Sequence, residues 1–255
     1  MAILWKKQVN GTRYEVRTAG NSRRLYSDGV FHSQYNPTAP VTGSVWDLLM
    51  LPAFFYPHGN IKRVLVLGVG GGAVIQQLRH FVQPDEIIGI ERDPVHLYVA
   101  RRFFGVAQEN VELHEADALQ WINEYEGPPF DMVIDDLFGE RDGEPIRAVS
   151  ADAPWFDCLS RHLTRQGMLV INFASSKELR QSAYFSDHRV ERRFKTAFQL
   201  TVPLCDNAVG VFLRRESGSQ TMRDRLKKIP TLETALRTKK LRYNIRCIIK
   251  KKIVE

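Results

Sequence analysis

The sequence predicts an α/β fold: a doubly wound, mostly parallel sheet closed by an antiparallel pair of strands, with a small β element in front of it. Three observations predict it. From Arg63 to Ile171, short apolar β-rich runs alternate with amphipathic stretches, the pattern that buries parallel strands between helices. The first run, Val64-Leu65-Val66-Leu67, leads into Gly68-Val69-Gly70-Gly71-Gly72 before a helical period begins, the strand-turn-helix order of a nucleotide-binding βαβ unit. Ahead of both, residues Gly11 to Ser33 read as short extended pieces broken by turn residues.

The elements follow in order. Arg13 to Arg17 alternates, Gly20-Asn21-Ser22 punctuates, and Arg24-Leu25-Tyr26 leads to Ser27-Asp28-Gly29. Residues 35–43, with Pro37, Pro40 and Gly43, are loop. Ser44 then opens an apolar-periodic stretch through Trp46, Leu48, Leu49, Leu51 and Phe54 that stops near Pro57-His58-Gly59, which predicts a connecting helix. After the glycine cluster, Val74, Ile75, Leu78 and Phe81 fall at helical spacing. Ile87-Ile88-Gly89-Ile90 predicts a second strand, Val95 to Phe104 a second helix and Val111-Glu112-Leu113 a third strand. Met132-Val133-Ile134 and Met168-Leu169-Val170-Ile171 are the next strands, with a helix from Trp155 to Leu163 between them. Phe198 to Val202 and Val209 to Leu213, joined by Pro203 to Ala208, predict the antiparallel closing pair. Three parts result: residues 1–55, a β element and connecting helix; 56–215, the nucleotide-binding domain; and 216–255, a basic, partly helical tail.

Bulk properties narrow the class. A chain of 255 residues with 44% hydrophobic and 25% charged residues is ordinary globular material with one full core. Cys158, Cys205 and Cys247 are far apart and form no CxxC or Cys/His spacing suited to zinc, so a reducing, cytoplasmic setting and no structural metal are expected. Lys6 and Lys7 interrupt the first apolar residues, and no run of about 18 apolar residues follows, so neither a secretory leader nor a membrane span is expected. The net charge of +7 is unevenly placed: residues 219–255 hold 12 Lys or Arg against 3 acidic residues, leaving 24 basic and 26 acidic groups elsewhere. In the tail, Thr231 and Glu233 with Leu232, Leu236, Leu241 and Ile245 predict a striped helix before Ile248-Ile249-Lys250-Lys251-Lys252. Such a tail contacts nucleic acid or an anionic membrane surface, or packs as a solvated helix on its own domain.

Chemistry-bearing residues cluster at predicted strand ends. The glycines let the backbone approach a ligand, or merely make a tight turn. Glu91 ends the second strand 23 residues after Gly68, where a carboxylate accepts both hydroxyls of a ribose. In Glu115-Ala116-Asp117-Ala118, a carboxylate can take an adenine amino group while a neighbouring N–H serves the ring; alternatively Asp117 caps a helix from Leu119 to Glu124. Asp135-Asp136 leaves a buried apolar strand at the edge where open α/β sheets bind ligands, or forms a solvated strand end. A dinucleotide oxidoreductase fits poorly, because Gly68-x-Gly70 is followed by Ala73 and the acid pair has no use in hydride transfer. His80, His96, His114 and His162 read as surface or satisfied histidines. Trp155 and Phe156 read as packing residues, and Asn172-Phe173 as a border of the acceptor pocket.

The run Leu65 to Gly72, Gly89-Ile90-Glu91-Arg92-Asp93, Asp117-Ala118 and Ile134-Asp135, preceded by Leu25-Tyr26-Ser27-Asp28-Gly29-Val30, resembles the spermidine synthase family and its methyltransferase-like relatives. The likeness extends from about Arg13 to Leu213. It implies a small N-terminal β domain before a Rossmann-like class I methyltransferase domain, a donor that is S-adenosyl-methionine or its decarboxylated form, and an amine or other nucleophilic small-molecule acceptor. By this resemblance Gly68, Gly70, Gly71, Gly72, Glu91 and Arg92 hold the donor, with Asp117 and Ala118 at its adenine. Asp135, with Asp136 beside it, takes the place of the family's general base. A homodimer paired through the N-terminal β element is a further expectation.

The departures shift the expected reaction. Aminopropyl transferases of the family carry an acid inside the loop, GGGDGG, where this chain has Gly71. A glycine offers an N–H and no charge to repel the carboxylate of an intact donor, which favours methyl transfer. The family's D-S-S-D-P run becomes Asp135-Asp136-Leu137-Phe138-Gly139, and its Tyr-His-Glu or Tyr-Gln-Glu stretch is replaced by Ser44-Val45-Trp46. Asp136, Asp47 or Glu140 would have to supply the carboxylates that a desolvated polyamine needs. Methyl transfer to an amine or hydroxyl is therefore the leading expectation, aminopropyl transfer in polyamine synthesis the alternative, and a non-catalytic nucleotide-fold protein docking through its tail the reading of another class.

Overall fold

The computed structural model describes residues 2–141 and 144–249. Its first four strands, β1 (Ala2–Val9), β2 (Thr12–Ala19), β3 (Ser22–Ser27) and β4 (Val30–Tyr35), form an antiparallel meander. Asn10-Gly11 and Asp28-Gly29 turn two of its hairpins, both residues of each pair having positive φ, the geometry that matches strand twist in two-residue turns. Strand β1 lies ahead of the expected start of this element; the Asn-Gly turn between residues with β pattern was its signal.

The connecting stretch is shorter in α-helix than its periodicity predicts. Helix α1 (Val45–Met50) tightens into a 3-10 turn over Leu51–Phe55, with Pro52 in its first turn. From Trp46 on, its apolar side chains are buried, and Phe55 stacks on Phe198 with ring centroids 4.6 Å apart.

The main sheet has the predicted alternation. Strands β5 (Arg63–Leu67), β6 (Glu86–Glu91), β7 (Val111–Glu115) and β8 (Phe130–Asp135) alternate with helices α2 (Ala73–Phe81), α3 (Pro94–Arg102) and α4 (Ala118–Glu124). A hairpin, β9 (Phe138–Arg141) and β10 (Glu144–Arg147), then precedes α5 (Ala153–Arg161) and β11 (Leu163–Phe173). Short helices α6 (Ser176–Gln181), α7 (Ala183–Ser186) and α8 (His188–Arg192) lead to the closing pair β12 (Thr196–Thr201) and β13 (Ala208–Leu213). The chain continues through α9 (Ser219–Leu226), α10 (Pro230–Arg237) and β14 (Asn244–Cys247). Strand order is β7-β6-β5-β8-β11-β13-β12-β14; the first five are parallel and the last three antiparallel to their neighbours. Order reverses between β5 and β8, the switch point at which a crevice opens beyond the strands' carboxyl ends.

The C-terminal segment departs from its reading as one helix through Ile245. Helix α10 stops at Arg237 and Lys239 turns left-handed. The N–H groups of Lys240 and Leu241 return to the Ala235 carbonyl, satisfying the helix end as C-terminal turns do. Ile245 instead lies in β14, which adds an edge strand to the sheet against β12. Met222, Leu226, Leu232 and Leu241 are buried in one cluster with Phe198 and Leu200. Lys250, Lys251 and Lys252, the end of the predicted basic run, lie outside the described residues. Among the described residues no helix is long and apolar enough to cross a membrane.

If this segment is part of the core, Leu226→Ala and Leu232→Ala will each destabilise the protein by about 2–4 kcal/mol. Urea unfolding measures this; unchanged midpoints would detach residues 219–247 from the cooperative unit.

Candidate active site

The crevice at the switch point is shaped by a close approach of two backbones. Gly68 follows β5 with φ of +86°, and a Cβ there would fall 2.3 Å from the Asp136 carbonyl oxygen. Glycine is required at that position on both counts. Gly70 and Gly72 also have positive φ, and Gly72 caps α2.

Glu91, at the end of β6, organises this loop. Its Oε2 accepts from the N–H groups of Val69 (3.1 Å) and Gly70 (2.8 Å), and its Oε1 from the Asp93 N–H (3.0 Å). Burial opposes its charge, yet His96 at 3.8 Å and the backbone donors outweigh it, holding the carboxyl below the usual range. His96 is itself buried and pairs with the Ser27 hydroxyl at 2.9 Å, while Tyr14 donates to Asp93 at 2.8 Å. The N-terminal sheet is thus tied to the residues that hold Glu91. His32, its ring centroid 4.8 Å from that of His96, is pushed down to about 4 by burial and by the neighbouring imidazole.

The other residues expected to hold a donor lie at the same sheet edge. Asp117 is exposed and caps α4, Oδ1 accepting from Leu119 (2.9 Å) and Gln120 (3.1 Å). The capping role is realised and engages one of its two carboxylate oxygens. Ala118 is buried at the first position of that helix, and Arg92 is exposed beside Glu91.

Asp135 and Asp136 have opposite surroundings. Alternation along a strand sends consecutive side chains to opposite faces. Asp135 is fully buried, and its Oδ2 accepts from the Arg147 guanidinium and from the Trp155 indole, each at 2.8 Å. Oδ1 accepts from the Leu137 N–H at 3.2 Å. The Arg147 side chain is only 2% exposed and also donates to the carbonyls of Asn172 and Val149. Expected as the general base, Asp135 is instead a charge locked in a buried ion pair. Asp136 is half-buried, and its Oδ1 accepts from Asn172 at 2.7 Å. Asn172 is held in turn by Asn207 at 3.0 Å. Burial, with the Asp135 and Glu91 charges nearby, pushes Asp136 up to about 6 against the opposing effects of Asn172 and Arg147. A carboxyl short of positive charge is the counterpart a cationic ligand fits.

A Cβ at Gly71 would lie 2.8 Å from Ser33 Cβ and 2.9 Å from the Phe104 ring. Packing of β4 on the loop therefore requires glycine, and Gly71 carries no information about a donor carboxylate. Asp47 is buried and accepts from Thr42 (N–H and hydroxyl), the Gly43 N–H and the Gln77 amide, so it anchors the 42–43 loop rather than facing an acceptor. The Glu140 side chain lies outside the described residues. Phe156 packs as expected, whereas Trp155 also serves Asp135. Sequence reasoning missed Arg147; Asp135-Asp136 leaving an apolar strand was a signal that some cation must neutralise one of them.

Comparison with known proteins places these features. A family model described as spermine/spermidine synthase domain matches residues 47–217. Polyamine aminopropyltransferase 2 of Caldanaerobacter subterraneus subsp. tengcongensis is 27% identical over 195 residues, covering 75% of this chain and 62% of that protein. The chain thus spans less than two thirds of that relative's length. A probable spermidine synthase from Corynebacterium glutamicum superposes with a TM-score of 0.71 at 16% identity, over 89% of this chain and 88% of the other. Human methyltransferase-like protein 13, in complex with SAH, superposes with a TM-score of 0.60 at 16% identity, over 82% of this chain and 96% of that one. At these identities the superpositions establish the shared fold.

Removing one partner of the buried pair is costly: Asp135→Asn should lower stability by about 3–5 kcal/mol, read by urea unfolding, and an unchanged midpoint would contradict the pairing. Asp136 has the opposite sign. Its raised folded pKa favours the folded state below the unfolded value, and this stability is lost as pH rises through about 6. The loss is up to about 3 kcal/mol. Asp136→Asn should flatten that part of the stability profile between pH 4 and about pH 7; an unaltered slope would assign the titration to another group.

Proposed function

The chain belongs to the spermine/spermidine synthase domain family, and on that premise we propose that it transfers the aminopropyl group of decarboxylated S-adenosyl-methionine to a small amine. The observation that carries this reading is Asp136: a half-buried carboxyl with one oxygen on Asn172, raised toward neutral pH, beside Gly68 at the switch point. In the reaction the acceptor nitrogen attacks the aminopropyl carbon as the carbon–sulfur bond of the sulfonium breaks. 5′-Methylthioadenosine leaves, and the nitrogen's proton passes to Asp136. A carboxyl near pKa 6 is poised for that task at neutral pH. The sulfonium is already reactive, so the protein's main contribution is orientation in a dry crevice.

On the donor side, Glu91 accepts from the ribose hydroxyls while the Gly68 to Gly72 loop approaches the nucleoside. Asp117 takes the adenine amino group with its second carboxylate oxygen, and the Ala118 N–H serves the ring. Two considerations support the decarboxylated donor: the Caldanaerobacter relative is named for aminopropyl transfer, and Gly71 no longer argues for the intact molecule.

A second reading, methyl transfer from S-adenosyl-methionine, is favoured by one specific feature. With Asp135 neutralised by Arg147 and Asp47 buried in its own loop, Asp136 is, of those candidate acids whose side chains are described, the one left to face an acceptor, whereas a diamine carries two positive charges. Competition between the two donors with a panel of amines distinguishes the readings. Aminopropyl transfer predicts marked preference for the decarboxylated donor and release of 5′-methylthioadenosine; preference for the intact donor would reverse the assignment. In the same assay Asp136→Asn should lower kcat by about 10²- to 10⁴-fold and weaken donor binding less than Glu91→Gln does, the latter acting chiefly on donor binding. Equal effects of both substitutions on donor affinity would contradict this division of roles.

A further inference from the structure

A second polar cleft lies at the far edge of the sheet, where α9, β12 and β14 meet. It encloses about 470 Å³, and Arg223, Arg246, Tyr243, Asn244, Gln199 and Thr201 contribute to its walls. An adjoining hollow of about 380 Å³ shares Arg223, Tyr243 and Asn244 and adds Arg242. Both volumes fall in the range of about 300–1,000 Å³ typical of small-molecule sites. The pairing of β14 with β12 sets the layout: Gln199 is opposite Arg246 and Thr201 opposite Asn244. Partners at alternate positions point to one face, so two amide-bearing side chains, a hydroxyl and a guanidinium share it. Arg223 approaches from α9, where the Ser219 hydroxyl lies 3.4 Å from Nη1.

We propose that this cleft binds a phosphate-bearing small molecule. Three arginines converge on the two hollows; among the described residues no acidic side chain lines either and none of the three has a carboxylate within ion-pair distance. Like charges gathered without a counter-charge gain nothing from one another, whereas an anion among them satisfies all of them. Guanidinium forks match phosphate oxygens bidentately, and the surrounding hydroxyl and amide groups supply further donors. The cleft is three to four strands away from Asp136 in the sheet order, roughly 15–20 Å at about 4.8 Å per strand. It is a site separate from the donor crevice.

The test is calorimetric titration of the full chain with sodium pyrophosphate at low ionic strength. Saturable binding is expected, at least tenfold weaker in Arg223→Ala and in Arg246→Ala and intermediate in Arg223→Lys, which keeps the charge without the fork. Lys227→Ala, next to α9 but outside the cleft, should bind as the wild type does, and melting temperatures of all variants check that they are folded. No binding up to millimolar pyrophosphate would overturn the proposal, as would equal weakening by Lys227→Ala. A single-stranded oligonucleotide that binds while pyrophosphate does not, or that displaces it through the same arginines with far higher affinity, would assign the phosphate to a nucleic-acid backbone and overturn the small-molecule form.

Discussion

Two neighbouring carboxylates at the end of a buried strand cannot both remain charged without compensation, and Arg147 pairs directly with only one of them. The guanidinium reaches Asp135 from the hairpin that follows the strand, and its two terminal nitrogens also donate to the carbonyls of Asn172 and Val149. This leaves Asp136 on the other side of the strand, close to two negative charges and held by a neutral amide. The separation of an ion-paired acid from one held only by a neutral amide follows from strand alternation and a single buried cation. The same hairpin therefore sets the charge balance of the acid pair.

The glycine-loop side obeys a related constraint. A buried carboxylate needs its charge supported, and Glu91 obtains that support from loop N–H groups and from His96. His96 is fixed by Ser27, so the antiparallel N-terminal sheet does more than precede the domain: its residues sit behind the residue expected to hold the ribose. The contact of Ser33 and Phe104 with Gly71 closes the loop from the same direction.

Much of this was legible in the sequence, for reasons that are local. Alternating apolar runs and helical periods locate β5 to β8 and the closing strands, and the glycine cluster marks the switch point. What was not legible depends on contacts between distant segments. Which of Asp135 and Asp136 turns inward is decided by the sheet register and by Arg147, a residue with no distinctive local pattern. Gly71 looked like a statement about the donor because a sequence does not reveal that Ser33 and Phe104 occupy the space of its missing side chain. In the C-terminal segment, Leu241 and Ile245 fit a helical stripe, but the left-handed turn at Lys239 and the open edge of β12 redirect the chain into β14. Asp117 satisfied the capping reading through one oxygen, which is compatible with a ligand on the other.

The central claim is that a cationic donor or acceptor sits beside Asp136 and takes up the charge it lacks. Proton release on donor binding measures this directly, by calorimetry near pH 6 in buffers of different ionisation enthalpy. A cation next to a carboxyl that is half-protonated at that pH drives off up to about half a proton, and Asp136→Asn should abolish the release while still binding the donor. Binding without proton release, or identical release from the wild type and the variant, would contradict the account.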